Sequence, residues 1–306
     1  MRLALFVLIF AAARGLCAQQ TPTLSVNVNV VSLLATVHDH SGKIVNDLTP
    51  EGFVLKEDGA QQKIRYFSRE TNLPLTIGLL VDTSRSQRQV LEKERSASET
   101  FLDQVLREDK DHAFIVHFDT HVETLQGLTS SHSELASALG ELRIPDEVAT
   151  LLFSAIRDSS DGVMSKQAGR KALILLTDGV AYKDPESIEA TIEAAQRADT
   201  NIYAIHFSDP LQFRGPVRTA VLAAASEHGK HGLERMANET GGAYYEVGKG
   251  QTIEDIYSQI EEALRNQYSI GYTPERPAPD GKYHKIKLTT KARNLTVETR
   301  AGYYAK

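Results

Sequence analysis

The 306-residue sequence predicts an α/β fold: a doubly wound, mostly parallel sheet accompanied by a β-sandwich-like unit that both chain ends build together. Three observations carry this expectation. The segment Leu73 to Val81 ends in the uninterrupted apolar run LTIGLLV, which suits a parallel strand covered on both faces. Helix and strand patterns alternate after it, as repeated β-α units do. Outside that region, on both sides, apolar residues recur with period two, the signature of half-buried strands.

The first eighteen residues carry Arg2, the apolar run Leu3 to Ala13 and a small residue at Ala18. This is the layout of a secretory signal peptide, residues 1–18, cleaved after Ala18. A membrane span needs about 20 apolar residues, whereas Arg14, Gln19, Gln20 and Thr21 interrupt this run. Cys17 lacks a lipobox, with Arg14 and Leu16 at the deciding places, so export is expected without a lipid anchor or a membrane span. With the signal goes the only cysteine, which excludes disulfides and thiol catalysis in the mature chain. The formal charge of -6, with no dense Lys/Arg block, disfavours nucleic-acid binding.

Residues 24–70 form the N-terminal β-rich segment. Val26, Val28 and Val30 alternate with polar residues, as do Ile64 and Tyr66, and Ser41-Gly42 and Asp58-Gly59 are turn signals. Residues 73–266 form the sheet domain. It comprises a helix around Arg88 to Arg107, a strand Ala113 to Phe118, a helix from Thr150, a strand Ala172 to Leu176 and a helix near Ser187 to Ala198. Strands at Ile202 to Phe207 and Ala243 to Val247 follow, and a helix carrying Ile253, Ile256, Tyr257, Ile260 and Leu264 closes the set. Residues 208–232, with Pro210, Pro216 and His228-Gly229-Lys230-His231, read as an insertion. In residues 267–306 period two returns at Tyr268, Ile270, Tyr272, Ile286, Leu288, Leu295 and Val297. Neither flank buries much surface alone, so the two are expected to pair into one sandwich.

The chemistry concentrates where two apolar strands end. One runs into Asp82-Thr83-Ser84-Arg85-Ser86, the other into Thr177-Asp178-Gly179. Ligand sites of open α/β sheets lie outside the carboxyl ends of strands at a switch point. If both strands flank it, Asp82 and Asp178 face each other and invite a cation. Carboxylate and hydroxyl oxygens suit Mg2+ first, with Mn2+ and Ca2+ as alternatives.

Asp82-Thr83-Ser84-Arg85-Ser86 resembles the D-x-S-x-S motif of von Willebrand factor A domains, and Leu175-Leu176-Thr177-Asp178-Gly179 is similar to their later strand end. The resemblance implies that Thr150, before Leu151-Leu152-Phe153, completes a metal-ion-dependent adhesion site with Asp82, Ser84, Ser86 and Asp178. Where the family usually has glycine before this threonine, the chain has Ala149. The resemblance further implies a non-enzymatic binding module in which the ion takes an acidic side chain of a protein partner. Val28 to Ser68, including Val45 to Phe53 and Lys56-Glu57-Asp58-Gly59, resembles the secreted VWFA-related proteins of acidobacteria, and Tyr268 to Tyr272 resembles their tail.

Simpler roles stand beside these. Asp82, Ser84, Ser86 and Thr150 each suit a helix cap, and Asp178-Gly179 suits a turn, so only the set is informative. His117 and His121 straddle a strand end where zinc geometry is not expected; His38, His40, His228 and His231 read as solvated loop residues. Lys166, Arg170 and Lys171 read as dipole partners at the end of the Thr150 helix. No histidine or further acid is evident beside the motifs to act as a general base. The alternatives to a binding module are a structural envelope or assembly protein without metal-dependent ligand binding, and a metal-dependent phosphotransferase, which would need an aspartate where Ser84 stands.

Overall fold

Alternating apolar residues at Val31, Leu33, Ala35 and Val37 turn one face of the first strand, β1 (Val31–Asp39), into a core. The computed structural model that shows this describes residues 30–69, 72–207, 216–248, 250–274 and 281–305. The expected signal segment and the strand residues Val26 and Val28 lie outside the described residues. Strands β2 (Phe53–Glu57) and β3 (Ala60–Gln62) form a hairpin through Asp58 and Gly59, whose φ angles of 47° and 85° are those of a tight hairpin turn. A short strand, β4 (Tyr66–Ser68), follows.

The α/β layer begins with β5 (Leu75–Asp82), buried at all eight positions. Then come α1 (Leu91–Val105), β6 (His112–Phe118), β7 (Val122–Thr129), α2 (His132–Glu141), α3 (Leu152–Gly162), β8 (Arg170–Thr177), α4 (Ile188–Arg197), β9 (Asn201–His206), α5 (Pro216–Thr240), β10 (Tyr244–Glu246) and α6 (Ile253–Arg265). The strands line up as β10-β9-β8-β5-β6-β7, parallel except at β6 and β7. Because β5 pairs with β6 on one side and β8 on the other, the winding reverses there. Leu102 of α1, Leu139 of α2 and Ile260 of α6 pack on one face of the sheet, whereas Ile156 of α3, Ile192 of α4 and Met236 of α5 pack on the other.

The ends of the chain interleave. Strands β11 (Tyr268–Tyr272), β12 (Tyr283–Thr290), β13 (Leu295–Glu298) and β14 (Gly302–Tyr304) join the early ones in two antiparallel sheets, β13-β1-β11-β4 and β14-β12-β2-β3. Leu33, Val37, Phe53, Leu55, Tyr268, Ile270, Ile286 and Leu288 share the core of this unit. The mostly parallel sheet and the flanking antiparallel unit are thus those the sequence predicts. No helix among the described residues is long and apolar enough to cross a membrane.

Three local expectations are corrected. The stretch 208–232 is, from Pro216 onward, the first part of α5, a regular layer element. Proline suits a helix's first turn, and His231, taken for a loop residue, pairs with Glu227 and Glu234 at helical spacing. Arg170 and Lys171 do not follow a helix; they open β8 and are buried, with Arg170 donating to the Leu264 carbonyl at 3.1 Å. The antiparallel edge strand β7 and the helix α2 were not anticipated, because β7 is largely exposed and shows no apolar alternation.

Candidate metal centre

Strand β5 ends at Asp82, and a short 3-10 turn over Arg85–Gln87 leads towards α1. Asp82 is fully buried. Its Oδ1 accepts the Ser84 N–H at 2.8 Å and its Oδ2 accepts the Thr177 hydroxyl of β8 at 2.6 Å. The Ser84 and Ser86 hydroxyls are 3.0 Å apart, and Ser86 hydrogen-bonds the Asp178 carboxylate. Asp178 Oδ1 also accepts the Val180 N–H at 3.0 Å, closing the turn through Gly179. Asp82, Ser84, Ser86 and Asp178 therefore form one linked constellation across the carboxyl ends of two adjacent strands.

Thr150 makes no hydrogen bond to these four among the described residues; its backbone ties it to the neighbouring loops. It exchanges two hydrogen bonds with Tyr182, at 2.9 and 3.1 Å. The next residue, Leu151, donates to the Asp119 carbonyl at 3.1 Å, and Asp119 Oδ2 accepts the Thr83 hydroxyl at 2.6 Å. The following helix begins at Leu152 and not at Thr150. Its first N–H groups are taken by Asp184, whose Oδ2 accepts from Phe153 at 2.7 Å and from Ser154 at 3.2 Å. Thr150 is thus no helix cap, and the Ser84 side chain makes no capping bond either.

Burial, reinforced by the neighbouring Asp178 charge, pushes the Asp82 carboxyl up to about 7. Burial also raises Asp178, against the opposing hydrogen bond from Ser86. Neither carboxylate has a Lys or Arg partner among the described residues. Two more groups stand beside them that sequence reasoning missed. Glu94 of α1, 0% exposed, is raised by burial and then by Asp82 and Asp178. His206, at the end of β9 opposite Thr177, is lowered by burial, which Glu246 and Asp178 oppose. The premise that no histidine or further acid lies near the motifs is therefore overturned. A signal for Glu94 existed: it occupies the inward stripe Leu91, Glu94, Ser98, Phe101, Val105 of an amphipathic helix.

The donor set fits a hard divalent cation. Two buried carboxylates and neutral hydroxyls offer oxygen only, and buried negative charge without a counter-charge is costly until an ion compensates it.

A separate group, Glu57, Asp58 and His284, brings three ligand atoms within 4.8 Å on the antiparallel unit. His284 Nδ1 is 2.8 Å from Asp58 Oδ2 and 3.5 Å from Glu57 Oε1, and the Tyr303 hydroxyl donates to Glu57 at 3.1 Å. These contacts tie the β2–β3 hairpin to β12 and β14. His284 was not singled out from the sequence. His117, which was, contacts the Thr83 hydroxyl at 3.0 Å and Glu123 at 3.3 Å.

No curated protein matches the chain in sequence. Among solved structures, BatB of Bacteroides thetaiotaomicron, described as a conserved hypothetical protein, is 16% identical with a TM-score of 0.47, over 62% of this chain and 98% of that one. Proximal thread matrix protein 1 of the mussel byssus is 12% identical with a TM-score of 0.51, over 76% of this chain and 50% of its own. The same mussel protein with a zinc-occupied MIDAS motif is 14% identical with a TM-score of 0.49, over 69% of this chain and 50% of its own. At these identities the likeness is one of fold. The family model of the von Willebrand factor type A domain matches residues 76–259, more than half of the chain. The chain therefore belongs to the von Willebrand factor type A domain family.

Proposed function

We propose that this chain is a secreted, non-enzymatic binding module that grips an acidic side chain of a protein partner through a divalent cation. Asp82, Ser84, Ser86, Thr150 and Asp178 are its ligands, with Mg2+ preferred and Mn2+ or Ca2+ accepted by the same donor chemistry. The von Willebrand factor A domain spans 73–266, and the segments 24–70 and 267–306 form the sandwich that carries it. Secretion rests on the reading of residues 1–18, as does kinship with the secreted VWFA-related proteins of acidobacteria on the flanking motifs.

The observation that carries the reading is the hydrogen-bonded run from Asp82 through Ser84 and Ser86 to Asp178, with both carboxylates buried and without a cationic side chain. Neutral hydroxyls leave a bound cation much of its charge, so it supplies an open position for a partner's carboxylate. Around that edge the chain presents Val148 and Tyr182, each 51% exposed, together with the exposed Arg85. An apolar and cationic rim suits a protein ligand with an acidic anchor. Glu94 and His206 would be the groups a hydrolase could use, yet both are buried, which favours binding over turnover.

Calorimetric titration of the purified protein with Mg2+ and Mn2+ tests this. Binding by wild type that is lost in Asp82→Ala and in Thr150→Ala is expected. No binding by wild type, or binding untouched by Asp82→Ala, would overturn the reading and leave a structural envelope role.

A further inference from the structure

The first turn of α1 places a carboxylate where an amphipathic helix needs an apolar residue. Glu94 is 0% exposed, and neither of its carboxylate oxygens has a hydrogen-bond partner among the described residues. Leaving a charged group so is strongly unfavourable. The nearby hydroxyls are engaged elsewhere: Ser84 and Ser86 in the run that ends on the Asp178 carboxylate, Thr177 on Asp82, and Tyr257 in a hydrogen bond with the Ser98 hydroxyl at 2.8 Å. The charges that Glu94 senses are those of Asp82 and Asp178, and α1 starts five residues after Ser86, so its first turn lies against the metal motif. A buried acceptor pair with no protein donor, beside two further carboxylates, points to something that only an occupied site would supply.

We propose that Glu94 is a positioning residue of the metal centre, accepting hydrogen bonds from the water shell of the bound cation on the buried side of the site. This rests on the reading of Asp82, Ser84, Ser86, Thr150 and Asp178 as ligands. Glu94 makes no hydrogen bond to Asp82 or Asp178, so both of its oxygens remain available as acceptors. Its carboxylate, the third after those of Asp82 and Asp178, raises the negative charge that the ion neutralises, so the site discriminates against monovalent cations. Occupancy of the site also fixes the first turn of α1 to the sheet edge, and outer partners of this kind tune the ion that the direct ligands hold.

The test is Mn2+ titration of the purified protein by calorimetry and by EPR, with thermal melts in EDTA, for wild type, Glu94→Gln and Asp82→Ala. Glu94→Gln is expected to bind Mn2+ roughly 10- to 100-fold more weakly and to change the EPR spectrum of the bound ion. In EDTA it is expected to melt above wild type, because an uncompensated buried charge is gone. Wild-type affinity and spectrum in Glu94→Gln would overturn the proposal and leave the ligand reading standing. A wild type that binds no Mn2+, or an Asp82→Ala that binds as wild type does, would overturn both. Should Glu94→Gln not fold, Glu94→Met decides, weakened binding supporting the role and unchanged binding refuting it.

Discussion

Taking Asp82 out of water beside Asp178 lifts its carboxyl from an ordinary 3.8 to about 7, and this has a consequence for stability. A group whose pKa is raised in the folded state contributes stability that is present below its unfolded pKa and lost as pH rises through the folded value. Asp178 and Glu94 are raised too and act in the same direction, whereas His206, lowered by burial, acts in the opposite one. In EDTA the melting temperature is therefore expected to fall from about pH 4 to about pH 7, and Asp82→Asn is expected to flatten much of that slope. Melts across this range check it; a wild-type melting temperature that rises over the interval would contradict the assignment. Saturating Mg2+ should abolish the decline, since the ion stabilises the ionised form.

At the scale of elements, two helices hold the loops that carry the ligands. Asp184 occupies the N-terminus of α3 and so frees Thr150 from capping. Asp184→Ala is expected to cost about 1–2 kcal/mol in denaturant unfolding and to weaken metal binding by loosening the Thr150 loop. Helix α5 crosses the Asp178-Gly179 turn so closely that a Cβ on Gly229 would lie 2.7 Å from the Gly179 carbonyl carbon and 2.9 Å from the Asp178 oxygen. Backbone meets backbone there and neither can swing aside, so Gly229→Ala should cost about 1–3 kcal/mol and disturb Asp178; a variant as stable as wild type would show that α5 yields. The two strands that end in the motifs were legible in sequence because burial on both faces leaves an unbroken apolar run. The opening of α3 was misplaced by two residues because its cap comes from Asp184, thirty-two residues beyond Leu152, where no local signal reveals it. Helix α5 was hidden by Gly229 and its polar neighbours, whose place in the helix follows from the packing against Gly179. Glu94 escaped notice because a glutamate on a helix reads as solvated until the neighbouring stripe is counted.

Across the whole molecule, the ends of the chain complete each other. Strand β1 lies between β11 and β13, and β2 pairs with β12, so neither flank has a closed sheet alone. The period-two pattern predicts this pairing, but the register depends on tertiary packing that no single segment displays. Arg300 fastens the unit to the α/β layer through Asp199, while its donation to the Ser32 carbonyl of β1 at 2.7 Å holds it within the unit. A chain ended at Asn266 would leave β1 without both neighbours and β2 without β12, exposing unpaired edges. It is expected to aggregate in size-exclusion chromatography, and a monomer with a wild-type melt would show instead that the α/β layer folds without its companion.

The most direct measurement is a crystal structure of the protein soaked in Mn2+, with the ion located by anomalous scattering. A peak is expected at the carboxyl ends of β5 and β8, with oxygens of Asp82, Ser84, Ser86, Thr150 and Asp178 directly or through water around it, at roughly 2.0–2.6 Å for the direct ligands. A peak confined to Glu57, Asp58 and His284, or none at the five predicted ligands, would contradict it.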